Sequence, residues 1–228
     1  MTEVQKGRRT AQLLLDIEAV HFNAEKPFIF TSGWASPVYI DCRKVISFLE
    51  QRREIIRMAC DLLRASCDID KVDVIAGGET AGISYAAWIS EELSKPMVYV
   101  RKKPKGFGRG AQIEGALEAG ARVLLVEDLA TDGASKIAFA NALREADAEV
   151  SDVFSVFFYG IYKESEALFR DAGLRLHYLA TWQDVLAEAK ARGLFPASTF
   201  AEVEKFLDSP AEWSRDHGGA FERTKAAG

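Results

Sequence analysis

The chain holds little of what builds a disulfide framework or a local metal motif. Cysteine occurs three times in 228 residues, at Cys42, Cys60 and Cys67. An odd, sparse set without CxxC spacing fits reduced thiols in a cytoplasmic protein. Histidine is as scarce, and His21, His177 and His217 show no metal-ligand spacing. Positive charge is in deficit: 29 Lys and Arg stand against 34 Asp and Glu, a net charge of −5. That argues against a general nucleic-acid binder, so an anionic ligand must be held by a local group of cations. No apolar run approaches the ~20 residues that span a bilayer. Leu13-Leu14-Leu15 follows a polar, basic start and is cut at once by Asp16, so no signal peptide is expected. Repeats and low-complexity tracts are missing too.

What is present reads as one large domain with additions. Hydrophobic content of 48% and charged content of 28% are ordinary for a globular chain. A chain of this length buries roughly 70% of its unfolded surface and needs no staple. Leu13, Leu14, Ile17 and Val20 predict a helix over residues 10–20. A turn-rich stretch over 28–37 leads to a strand at Val38–Ile40, then a helix over 50–65. From residue 72 short apolar runs alternate with helical patterns. Strands are expected at 72–76, 97–100, 122–126, 153–158 and 175–179. Helices are expected from the Gly77-Gly78 turn to about 93, and at 135–146 and 164–172. This order predicts an α/β fold: an open, mostly parallel five-stranded sheet covered by helices on both faces. Residues 1–66 form an amino-terminal helix and hood, 67–181 the α/β core, and 182–228 a helical extension. Two short helices are expected in that extension, one at 183–192 and one from a Ser198-Thr199 cap. The last ten or so residues are expected to fray.

Four segments carry chemistry. In the first, the run Val123-Leu124-Leu125-Val126 ends in Glu127-Asp128-Leu129-Ala130, followed by Thr131-Asp132-Gly133-Ala134-Ser135 and a helix. Open α/β sheets bind ligands at such a strand end. Backbone N–H groups at a helix N-terminus receive phosphate, and Thr131 and Ser135 add hydroxyls. Glu127 and Asp128 repel phosphate but accept hydrogen bonds from vicinal sugar hydroxyls or orient a hydrated cation. An ordinary strand-turn-helix with solvated acids gives the same pattern. The second segment, 101–110, sets Arg101, Lys102, Lys103, Lys105 and Arg109 among three glycines and Pro104. It reads as a mobile cationic loop that closes over a diphosphate, or as a wet basic surface. The third, Gly77-Gly78-Glu79-Thr80-Ala81-Gly82, is a Gly-rich strand-to-helix turn that matches neither GxGxxG nor a Walker motif; a packing turn is the alternative. The fourth, residues 30–41, mixes aromatics with small residues and suits a lid over a flat ring, or a loop packed on the core.

Together these segments resemble the type I phosphoribosyltransferases, which use 5-phosphoribosyl 1-diphosphate (PRPP). Glu127-Asp128 with Thr131 to Ser135 looks like their ribose-phosphate signature. Phe30, Ser32, Gly33, Ser36, Pro37 and Tyr39 resemble the hood of the orotate-using branch. Arg101, Lys102 and Lys105, with Ile113-Glu114-Gly115 after them, are similar to its catalytic loop. Trp182-Gln183-Asp184-Val185-Leu186 resembles an extended bacterial variant.

The resemblance implies a division of labour. Glu127, Asp128, Leu129, Ala130, Thr131, Asp132, Gly133, Ala134 and Ser135 would hold the ribose and its 5-phosphate. Gly78, Glu79, Thr80 and Ala81 would face the diphosphate, which carries Mg²⁺ without direct protein ligands. Thr131, Ser32, Val38 and Tyr39 would contact orotate. Arg101, Lys102, Lys105 and Asp128 would be catalytic, the loop being donated by the partner of a homodimer. Neither nucleic acid nor membrane is an expected partner. The chain departs from many relatives at Thr31 and Ala81, where they carry Lys, and at Phe107, where they carry His. The stretch 157–162 offers no arginine for the base; Arg43, Lys44 and Lys163 are the substitutes. The reaction implied joins orotate to PRPP, giving orotidine 5-monophosphate and diphosphate. Fixed cations would stabilise the leaving diphosphate, and anionic orotate needs no strong general base. Transfer to another base such as a purine or xanthine, or PRPP sensing without turnover, remain the competing readings.

Overall fold

The computed structural model describes residues 1–30, 32–106, 112–162 and 164–221. Thr31, Phe107, Arg109 and Lys163, all named above, lie outside the described residues, as do Gly108, Gly110 and Ala111 and positions 222–228 of the tail expected to fray.

Helix α1 (Glu3–Asp16) starts seven residues before the expected position. A capping box explains this: Thr2 Oγ1 accepts from Gln5 N, and the Gln5 side chain accepts from Thr2 N. The helix stops short because Glu18 takes φ +55, and Val20 enters a strand instead. That strand, β1 (Val20–Phe22), is followed by β2 (Phe28–Ile29), β3 (Ala35–Ser36) and β4 (Val38–Ile40). β1 pairs antiparallel with β4 and β2 with β3, which makes the hood two small hairpin-like ladders. Helix α2 (Leu49–Ser66) lies close to its predicted bounds.

The core continues with β5 (Val74–Gly78), α3 (Ala81–Leu93), β6 (Met97–Val100) and β7 (Ile113–Glu114). Then come β8 (Arg122–Ala130), α4 (Ala134–Glu145), β9 (Glu149–Phe158), α5 (Ser165–Asp171) and β10 (Arg175–Thr181). The five expected parallel strands all form. Among the described residues the sheet has a sixth, because two-residue β7 adds antiparallel to β6 at the edge. The order is β10-β9-β8-β5-β6-β7. From β5 the chain moves outward to β6, then returns to the other side through β8. The reversal leaves a crevice at the carboxyl ends of β5 and β8.

β8 is apolar from Val123 to Val126 because both its faces are covered. Leu124 and Val126 pack toward α1, α2 and α3, while Val123 and Leu125 pack toward α4 and α5. The strand runs to Ala130, four residues past the predicted end, paired with β9 up to Phe158.

The extension forms α6 (Trp182–Ala191), α7 (Ala197–Asp208) and α8 (Pro210–Asp216), one helix more than expected. Thr181 and Asp184 cap α6 reciprocally. Glu188 on α6 takes Arg8 at 3.0 Å and Gln12 at 3.2 Å from α1. Buried residues of the hood, core and extension thus share one apolar cluster. The tail also grips the hood. Ser214 Oγ accepts from Ala35 N and donates to Ala220 O, and Ala220 N donates to Gly33 O at 2.8 Å. No described helix is long and apolar enough to cross a membrane.

Candidate active site

The crevice is built from two strand ends in register. Gly77 lies opposite Val126, which sets Gly78 beside Glu127. A Cβ at Gly78 would overlap Glu127 Oε1, and one at Gly82 would stand 2.5 Å from Val126 O. Both glycines are therefore needed for the strands and α3 to come this close.

Side-chain alternation sends the two acids to opposite faces. Glu127 turns toward α4 and is buried, with Lys136 Nζ 3.8 Å from its Oε2 and Oε1 lacking a hydrogen-bond partner. Burial lifts its carboxyl to about 8; Lys136 opposes the rise and Asp128 adds to it. Burial also raises Asp128, against Lys136 and the backbone amides of Asp128 and Leu129. Asp128 acts electrostatically on Cys42, Tyr85 and Arg43, which places it on the hood side.

The loop after β8 turns at Gly133, φ +89, where a Cβ would meet the Phe169 ring at 2.7 Å. Asp132 Oδ1 accepts from Ala134 N at 3.1 Å. Gly133 brings no side chain to cap α4, so its first turn presents N–H donors to the crevice. Ser135 Oγ takes a hydrogen bond from Lys136 Nζ at 3.1 Å. Thr131 O accepts from Ser165 Oγ at 3.3 Å, Ala130 is buried, and Leu129 packs on the core.

Lys136 is the site residue that the sequence reading misses. It follows Ser135 directly, and a cation in the first turn of a helix beside two acids was the available signal. Here it is a buried lysine linking Glu127 to Ser135.

On the hood side, Tyr39 OH accepts from Arg43 Nη2 at 3.0 Å, and Asp41 holds the same guanidinium in a two-pronged pair. Arg43 thus stands between Tyr39 and the field of Asp128. Lys44, the other nearby substitute, donates to Glu18 O at 2.9 Å. Ser32 is exposed at the hairpin tip, while Val38 is fully buried with both backbone groups bonded to Ser36 Oγ.

The remaining residues lie toward the sheet edge. Glu79 N donates to Val100 O, its side chain accepts from Lys102 N at 2.7 Å, and Thr80 and Ala81 open α3. Arg101 pairs with Glu114 at 3.2 Å. Lys105 is exposed, with Nζ 3.9 Å from Glu114 on β7. The structure therefore gathers Gly78, Glu127, Asp128, Ser135 and Lys136, and leaves Lys105 on the outer edge.

A family model of the phosphoribosyl transferase domain matches residues 47–174. The chain is 50% identical over 212 residues to an orotate phosphoribosyltransferase of Agrobacterium fabrum, covering 93% of this chain and 91% of the relative. It is 53% identical over 208 residues to one of Cereibacter sphaeroides, covering 91% and 89%. Among solved structures, orotate phosphoribosyltransferase from Aeropyrum pernix superposes with a TM-score of 0.68 at 28% identity, over 82% of this chain and 99% of that one. The UMP synthase of Leishmania donovani gives a TM-score of 0.75 at 27% identity, over 89% of this chain and 42% of that one.

Proposed function

The chain belongs to the phosphoribosyl transferase family as an orotate phosphoribosyltransferase, and on that premise we propose that PRPP sits across the β5 and β8 strand ends with orotate under the hood. The product is orotidine 5-monophosphate, a step of UMP synthesis, with diphosphate released. The carrying observation is the split of the acid pair: Glu127 faces Lys136 and the phosphate turn, and Asp128 faces the hood.

Each group has a physical task. The α4 N-terminus and Ser135 take the 5-phosphate. Asp128 accepts from the ribose hydroxyls and steadies the positive charge that grows on the ring. Arg43, beside Tyr39, meets the carboxylate of orotate and supplies the cation missing from 157–162. The strand ends fit Mg²⁺ as an ion carried by substrate. Among the described residues no third ligating side chain joins Glu127 and Asp128, and Mg²⁺ accepts one or two carboxylates plus phosphates. When bound it supplies positive charge at the leaving diphosphate.

Lys105 lies at the β7 edge, three strand spacings or roughly 14 Å from β8. That position supports a loop that serves the neighbouring site in a homodimer. Three buried free thiols support a cytoplasmic protein.

The deciding assay is diphosphate release from PRPP and Mg²⁺, with and without orotate and with a panel of other bases. Release with orotate, accompanied by orotidine 5-monophosphate, is expected. Turnover with a purine or xanthine but not orotate overturns the base assignment, and no turnover with any base overturns transfer.

A further inference from the structure

Away from the crevice, three side chains able to ligate a metal meet. Cys67 caps the carboxyl end of α2, Asp152 lies near the start of β9, and His177 near the start of β10. Their ligating atoms all lie within 4.8 Å of one another. His177 Nε2 is 2.7 Å from Asp152 Oδ1 and 3.2 Å from Cys67 Sγ, and Cys67 Sγ is 3.8 Å from Asp152 Oδ1. The cluster occupies the amino-terminal end of the sheet, on the α2 face, whereas Glu127 lies toward α4. A register shift helps to aim it. Val123 pairs with Val150 and Leu124 with Asp152, so Ser151 is an extra residue and Asp152 turns to the same face as Leu124.

We propose that Cys67, Asp152 and His177 form a binding site for one zinc-class divalent ion.

The hydrogen bonds around His177 carry the argument. Ser66 Oγ donates its only proton to Leu62 O at 2.8 Å. In the tautomer with the ring proton on Nδ1, it accepts from His177 Nδ1, 3.1 Å away. That tautomer leaves the Nε2 lone pair available to a ligand. That lone pair faces a carboxylate oxygen, which has lone pairs alone. Nε2 and Oδ1 stand 2.7 Å apart, a spacing that a hydrogen bond or a shared metal ion accounts for. The adjacent thiol makes the metal the better match, because Cys, His and Asp together are zinc ligands and suit Mg²⁺ poorly. Bond lengths of roughly 2.0–2.3 Å put tetrahedral ligand atoms roughly 3.4–3.6 Å apart. Only the His177–Asp152 pair has to open appreciably to reach that spacing.

The outer partners resemble those of a metal site. Ser66 orients the imidazole, while Ser151 Oγ at 2.7 Å and Arg175 at 3.0 Å hold Asp152 Oδ2 and leave Oδ1 for the ion. Ser66 and His177 line a groove of about 400 Å³ that also includes Lys6 of α1 and Asp184 of α6. It brings solvent to the His177 side of the cluster.

The test is titration of the whole protein with Co²⁺, then Zn²⁺, without PRPP or Mg²⁺. One Co²⁺ per chain with a thiolate-to-cobalt absorption band is expected, displaced by Zn²⁺ but not by millimolar Mg²⁺. Zn²⁺ should also raise Tm. Cys67→Ser should abolish the band, while Cys60→Ser should keep it. Ser66→Ala leaves all three ligands and should weaken binding by about 10–100-fold. A wild-type protein with no cobalt band, or a band that survives in Cys67→Ser, overturns the site. The first result would leave an ordinary hydrogen bond between His177 and Asp152.

Discussion

Replacing Glu127 by Gln should make the ligand-free protein more stable at neutral pH. The side chain is 7% exposed, one carboxyl oxygen has no hydrogen-bond partner, and Lys136 is 3.8 Å from the other. Burial raises the carboxyl from 4.5 to about 8. A raised acid binds its proton more tightly folded than unfolded. As pH climbs past 4.5 the unfolded chain ionises first, so folding loses stability until the native group ionises near 8. Every pH unit crossed in that window removes about 1.4 kcal/mol. At pH 7 the cost of keeping this acid in the fold is thus about 3 kcal/mol. Gln has no proton to lose and matches the acid in shape. Urea unfolding at pH 5 to 8.5 should give stability curves that differ by under about 1 kcal/mol at pH 5 and by about 3 kcal/mol at pH 7. Groups common to both proteins cancel in the difference. Loss of the Lys136 contact lowers the Gln curve at the alkaline end, so the divergence between pH 5 and 7 is the diagnostic part. Parallel curves across that interval would refute the reasoning.

The proposed site makes further demands. Lys105→Ala should lower kcat by ~10²–10³, as loss of one preorganised donor does; a loss under about threefold removes it from catalysis. Asp128→Asn should weaken PRPP binding, and an unchanged calorimetric titration would contradict its ribose role. Mixing these two variants should restore about a quarter of wild-type activity if the loop acts in trans, since half the dimers are mixed and each holds one intact site; no recovery, with subunit exchange verified, argues for a loop acting within its own chain. Gly78→Ala drives a methyl into Glu127, so PRPP affinity should fall steeply while the far end of the sheet, read by hydrogen exchange, stays protected.

How much of this was legible depends on how local each cause is. The parallel strands were readable because a sheet covered on both faces needs unbroken apolar runs, and 122–126 supplies one. Apolar patterning ends β8 at Val126 because the acids resemble a solvated loop. In the fold they stay in the ladder, since β9 continues beside them to Phe158. The early start of α1 was written in Thr2 and Gln5, a capping pair easily passed over when apolar spacing alone is followed. β7 is two residues long and exists because β6 offers an open edge, a fact of pairing with no local signature. The same distinction separates the acid pair, visible as neighbours in sequence, from Lys136, whose importance appears only when a strand end and a helix start are juxtaposed. It applies most strongly to Cys67, Asp152 and His177. Cys67 and Asp152 are 85 positions apart, and Asp152 and His177 are 25 apart, so no spacing rule could join them. Scarcity of cysteine and histidine excludes a local metal motif; a site assembled by the packing of α2 against β9 and β10 escapes that exclusion.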